Sequence, residues 1–341
     1  MEPGSSTQFS SQPQLATTED QGGRGRNLVD SIKKAAFVVG TALVVFVAAR
    51  NTITWHLQAF WGAQGDFYQR QWDNIYDYFD GDSYKLGNYG TLLVTNFVFW
   101  VPNLFLLVLD LTQKPSWIYR YKIQDDQKAD PKKVWQAFRR VLFNQTVIGI
   151  PFVLFTNHLM HWRGCSFSKE LPTFPWVVWE LFLMIWVEEI AFYYSHRLLH
   201  HPRVYKHIHK VHHEWTSPIG LVSVYAHPLE HVFSNLVPPM LGPVLCGTHV
   251  ATAWLWFMLA LFSTTVAHSG YHLPFFPSPE AHDYHHLKFN QNYGVLGVLD
   301  RLHGTDVMFR NSKAYERHFM LLSLVPIKEL IPDKPKKQDS D

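Results

Sequence analysis

The chain has 341 residues, with 30 Lys and Arg against 28 Asp and Glu, 20 His and two cysteines. So even a charge balance removes the electrostatic basis for nucleic-acid binding, and two distant cysteines argue against a disulfide framework or a cysteine-based zinc site. The length suits two soluble domains or one membrane domain with a soluble cap; apolar and aromatic residues gathered in long runs favour the membrane domain.

Taken in order, residues 1–31 are rich in Ser, Thr, Gln and Gly and read as a solvated tail. Because the first apolar run follows this tail, a cleavable signal peptide is not expected. Ala35–Ala49 is apolar between Lys33, Lys34 and Arg50, a first membrane segment of a hairpin over 32–139. Residues 51–89 are aromatic and acidic, with Asp66, Asp73, Asp77, Asp80 and Asp82, and are expected to form an interfacial loop with amphipathic helical pieces. Thr91–Leu111 is the clearest span. The basic stretch after it, from Lys114 to Arg140, is expected on the cytosolic side together with the N-terminus. Val141–Met160 is a weaker span, interrupted by Asn144, Gln145 and Asn157; Trp176–Tyr194 is apolar apart from Glu180, Glu188 and Glu189. Leu229–Cys246 carries Pro238, Pro239 and Pro243 and is expected to break into half-helices or to dip in without crossing. Ala251–Ala267 returns. Residues 140–310 make one unit and 311–341 a soluble segment and tail. The fold expected is an all-α polytopic bundle with a histidine-rich cap facing the cytosol.

The histidines carry the chemistry. They recur at helical intervals as His196 with His200 or His201, His209 with His212 and His213, His268 with His272, and His282 with His285 and His286. Counting spans without regard to histidine brings all four groups to one face of the membrane. Imidazole ligates iron, zinc and copper, and these groups offer more ligands than one ion takes, so two metals are expected. Glu188, Glu189, Glu230 and Asp283 are candidates to orient the rings, and His227 is a candidate for the site's edge. His207 falls off the ligand face.

These stretches, His-Arg-Leu-Leu-His-His (196–201), His-Lys-Val-His-His (209–213), His-Ser-Gly-Tyr-His (268–272) and His-Asp-Tyr-His-His (282–286), resemble the histidine boxes of the fatty acid hydroxylase/sterol desaturase superfamily. The resemblance covers roughly 140–310. Tyr-Ala-His-Pro-Leu-Glu (225–230) and Asp-Arg-Leu-His-Gly-Thr-Asp (300–306) are most similar to the C4-methylsterol oxidases within it. The resemblance implies an endoplasmic reticulum enzyme with two non-haem irons, using O2 and electrons from NAD(P)H through cytochrome b5 and its reductase. Its ligands would be His196, His200 or His201, His209, His212, His213, His268, His272, His282, His285 and His286. The expected activity is oxidation of a membrane lipid, first a C4-methylsterol. Fatty acyl hydroxylation and sterol desaturation use the same metal chemistry. A non-enzymatic signalling protein that retained its metal site is the alternative of another class; a metal transporter is disfavoured because the clusters flank the spans.

Overall fold

The computed structural model describes residues 19–333, and among them no strand occurs. The tails expected over 1–18 and 334–341 lie outside the described residues. Contacts divide the chain between Tyr68 and Gln69 into two compact units. The first contains most of helix α1 (Glu19–Tyr78). Helix here replaces two expectations, the tail at 19–31 and the loop at 51–78. No proline falls between Pro13 and Pro102 to break it, and extending a helix costs far less than starting one. It ends just before Asp80 and Gly81, both with positive φ (59° and 67°).

The second unit is a bundle. Asp82 accepts hydrogen bonds from the backbone N–H groups of Tyr84 and Lys85 and opens α2 (Ser83–Thr112). α3 (Pro131–Arg163) is capped by Asp130. α4 (Phe174–Leu199), α5 (228–246) and α6 (Val250–Ser269) follow. Three of these helices, α2, α3 and α6, are long and apolar enough to cross a membrane. α4 carries three glutamates and is not among them, but two are satisfied internally. Thr248 Oγ1 donates to Glu180 at 2.5 Å, and Glu189 accepts from the backbone N–H groups of Val295, Leu296 and Leu299 at 2.8–3.1 Å.

The proline-rich segment departs from expectation. α5 is one continuous helical run with a π-turn at His231–Leu236, not two broken pieces. Pro238 and Pro239 follow directly on the π-turn, whose wider ladder makes room for rings that neither donate nor fit a regular α-turn. Pro243 cannot donate to the carbonyl four residues back, and that carbonyl, of Pro239, instead accepts from the Trp256 indole at 2.8 Å. α5 packs closely against α4: a Cβ on Gly242 would stand 2.7 Å from Met184 Cγ. Two further π-turns interrupt the helical runs of α2 (Leu86–Gly90) and α3 (Asn144–Gly149).

The bundle has two unlike ends. At one, Trp72, Leu86, Val250 and Trp254 form an aromatic cluster, and His161 at the end of α3 meets Ser83 at the start of α2. At the other, a buried ion pair joins the end of α2 to the end of α6. Lys122 Nζ lies 2.7 Å from Asp110 Oδ1 and donates to the Ser269 carbonyl, and the Tyr271 hydroxyl donates to Asp110. At this second end α4 and α6 stop, α5 begins, and the histidine-bearing segments gather.

Candidate metal centre

Nine imidazoles converge in two groups. His196, His200, His209, His213 and His285 form one; His212, His268, His282 and His286 form the other, and within each the ligand nitrogens lie within 4.8 Å of one another. The sequence spacing alone does not produce this arrangement. His209–Glu214 is a short 3-10 turn lodged between the two groups, and on it His209 and His213 face one group while His212, between them, faces the other. The Glu280–Lys288 helix divides its rings likewise: His285 goes to the first group, His282 and His286 to the second. The last turns of α4 and α6 bring His196 and His268.

The outer nitrogens are tied to fixed acceptors. Nδ1 of His196 donates to the Tyr293 carbonyl (2.8 Å), of His209 to Glu230 (2.8 Å), and of His212 to the Tyr225 carbonyl (3.0 Å). Nδ1 of His268 donates to the Thr264 carbonyl (2.8 Å), of His285 to Gln291 (2.6 Å), and of His286 to Trp215 (2.9 Å). With the proton on Nδ1, the Nε2 lone pair is left pointing inward. The inner nitrogens crowd: His196 and His209 Nε2 are 3.1 Å apart, His213 and His209 3.1 Å, His282 and His268 2.8 Å. Nε2 of His285 and of His286 is buried and has no hydrogen-bond partner. Two buried acceptors without donors, beside other inward lone pairs, are what a cation at each group would satisfy. Burial holds His209, His212, His285 and His286 below the usual imidazole range, so they stay neutral and able to ligate. An all-nitrogen donor set suits iron, zinc or copper.

Not all the expected ligands are gathered. His201 is exposed and accepts from the backbone N–H of Arg203 as the cap of a short helix, so of the adjacent pair it is His200 that lies in the cage. His272 is buried outside both groups, between Glu280 (3.4 Å) and the Phe319 carbonyl (3.0 Å); the His-Ser-Gly-Tyr-His stretch leaves the helix at Gly270 (φ 68°), which turns His272 away from His268. His227 caps the first turn of α5 and stands outside as well, and His207 is exposed. Among the acids, Glu230 contacts the ring of His209 directly. Asp283 instead accepts from Gln124 Nε2, and burial raises its carboxyl to about 7. Glu189 acts one layer further out. Together with Asp300, which accepts from the Tyr293 and Gly294 N–H groups, it holds the loop whose Tyr293 carbonyl orients His196. Glu188 faces elsewhere, into a cavity.

Several supports had no assigned role in the sequence. Asn144 Nδ2 donates to the carbonyls of Val224 and Ala226, fixing the strand-like turn whose Tyr225 carbonyl holds His212. Its polarity inside an apolar run was the available signal. Backbone carbonyls such as Gln291 and Trp215 leave no trace in a sequence.

The cage closes one end of a cavity of about 1350 Å³, counting its open mouth. His196, His209, His212, His268 and His282 line it on the cage side, and Phe99, Phe152, Phe192, Met240 and Phe257 line its apolar walls. The π-turns of α3 and α5 contribute Gln145, His231, Ser234 and Asn235 to the same wall.

Comparison with known proteins agrees with this construction. Residues 181–305 match the model of the fatty acid hydroxylase family. The chain is 53% identical to fatty acid hydroxylase domain-containing protein 2 of Homo sapiens over 91% of this chain and 93% of that one. It is 32% identical to methylsterol monooxygenase 1 of Danio rerio (69% and 82%) and 33% identical to very-long-chain aldehyde decarbonylase GL1-8 of Oryza sativa subsp. japonica (72% and 93%). No solved structure matches. With its apolar helices, its two histidine groups and relatives matched over most of their length, this membrane protein belongs to the fatty acid hydroxylase family.

Proposed function

We propose that the chain oxidises a membrane lipid with O2, and that its first substrate is a sterol carrying a C4 methyl group. The observation that carries this reading is the cage of nine imidazoles set at the closed end of an apolar cavity between helices. His196, His200, His209, His213 and His285 would hold one iron, and His212, His268, His282 and His286 the other. Iron held there supplies oxygen activation and electron transfer. The protein supplies the rest. Six fixed Nδ1–H donors keep the rings aimed, and the aromatic walls exclude water and present a C–H bond to the cage. The sterol reading draws on the likeness to a methylsterol monooxygenase, and fatty acyl hydroxylation would use the same cage. Electrons would come from NAD(P)H through cytochrome b5 and its reductase. The enzyme would lie in the endoplasmic reticulum membrane with the cage toward the cytosol, where the basic 114–140 segment also lies.

Expression in cells lacking C4-methylsterol oxidase tests the proposal, with methylsterols followed by mass spectrometry. The wild-type chain is expected to clear the accumulated methylsterol and the His212→Ala/His213→Ala variant to leave it. Methylsterol that persists equally with both overturns the sterol reading. Absence of any transition metal from purified protein overturns the oxidase itself, in favour of a signalling role.

A further inference from the structure

The cavity contains one acid that the metal cage does not use. Glu188, Phe192 and His196 lie at i, i+4 and i+8 on α4, share one face, and all three line the cavity. The neighbouring Glu189 has both oxygens committed to backbone N–H groups. Among the described residues the Glu188 carboxyl has no hydrogen bond and no ion pair, and its accessible face opens on the cavity. A carboxyl left against Phe and Met walls is costly unless a ligand group reaches it. The same cavity wall holds other unpartnered atoms, Gln145 Oε1 and His231 Nδ1.

We propose that Glu188 is the anchor for a hydroxyl group on a neutral lipid substrate, and so sets which carbon reaches the cage. This rests on the reading that the cavity holds the lipid. The charge beside Glu188 selects the class: among the described residues Glu188 and Glu230 line the cavity and no Lys or Arg does, so the only cations open to a fatty acid carboxylate are those the cage would hold, two helical turns away, and at Glu188 itself it meets repulsion. A hydroxyl, by contrast, donates to the carboxyl and carries no charge into the cavity. The spacing selects the geometry. Eight residues of helix separate Glu188 from His196 by ~12 Å, and both side chains lean the same way along the axis. Once a hydrogen bond of ~2.7 Å at one end and the reach to the cage at the other are subtracted, little length remains. The hydroxyl and the oxidised carbon must therefore lie within several bonds of each other, which the 3-hydroxyl and 4-methyl groups of a sterol satisfy and opposite ends of an extended chain do not.

The test is equilibrium binding to full-length protein in nanodiscs, with iron content measured for each variant. The probes are a 4,4-dimethylsterol with a free 3-hydroxyl, its 3-methyl ether, hexadecanol, hexadecyl methyl ether and palmitate. Wild-type protein is expected to prefer the free sterol to its ether about ten-fold, the worth of one hydrogen bond. Glu188→Leu is expected to reduce that ratio to about one and Glu188→Gln to keep most of it, with iron unchanged in both. Equal binding of alcohol and ether by the wild type overturns the inference, and that comparison needs no variant to fold. So does a preference that survives Glu188→Leu, palmitate bound more tightly than hexadecanol, or no binding of either alcohol. A Glu188-dependent preference for hexadecanol, with no preference in the sterol pair, keeps the anchor and removes the sterol reading.

Discussion

The two histidine groups make separable demands on single residues. His286 belongs to the group of four and His201 to neither. His286→Ala is expected to lower bound metal from two ions per chain to about one and to abolish turnover, whereas His201→Ala leaves both ions; elemental analysis of the purified variants decides. Glu230→Ala, which frees the ring of His209, should weaken metal affinity ~10–100-fold without emptying the site at saturating metal. Acid acts on the same rings. Burial puts His212 at about 4, against an ordinary imidazole value of 6.5, so between those values the unfolded chain binds more protons than the folded one. The buried rings should therefore make metal-stripped protein lose stability as pH drops from 6.5 toward 4, outweighing the opposite contribution of buried carboxyls such as Asp283, read from thermal melts in detergent. Stability that rises on acidification would contradict the buried, neutral cage. That these histidines form a cage suited to metal was legible from their number and spacing. Which ring joins which group was not, because the 209–213 turn and the 282–286 helix each lie between the two groups and send rings to both, a placement that local spacing does not contain.

At the scale of elements, the three apolar helices were legible from composition, while the continuity of two others was not. α5 survives its prolines because a π-turn precedes them and the Trp256 indole takes the carbonyl that Pro243 frees. Both compensations come from outside the proline segment. The α4–α5 contact depends on the missing side chain at Gly242. Gly242→Ala would place a carbon 2.7–3.1 Å from Met184, including its backbone, so the helices must separate. A loss of ~1–3 kcal/mol in stability is expected, with metal content retained. An unchanged melting temperature would show that Met184 yields without moving the backbone.

For the whole molecule, the bundle has an aromatic end and a cage end, joined by antiparallel helices. If the cage faces the cytosol, a glycosylation acceptor placed in the 166–172 loop should be modified in microsomes and one at 206–208 should not. The reverse pattern would invert the proposed topology. By itself the sequence determined the chemistry: neutral imidazoles in excess at helical spacing, apolar runs of spanning length, and polar residues placed where a bilayer penalises them. These are properties of local composition and period, and they need no partner to be read. Only the tertiary structure decided the division into five rings and four, the exclusion of His201 and His272, and the facing of Glu188 into the cavity. Each of these depends on what the far side of the residue meets. That is set by carbonyls and loops, at Tyr293, Tyr225 and Trp215, that are distant along the chain and have no side-chain signature.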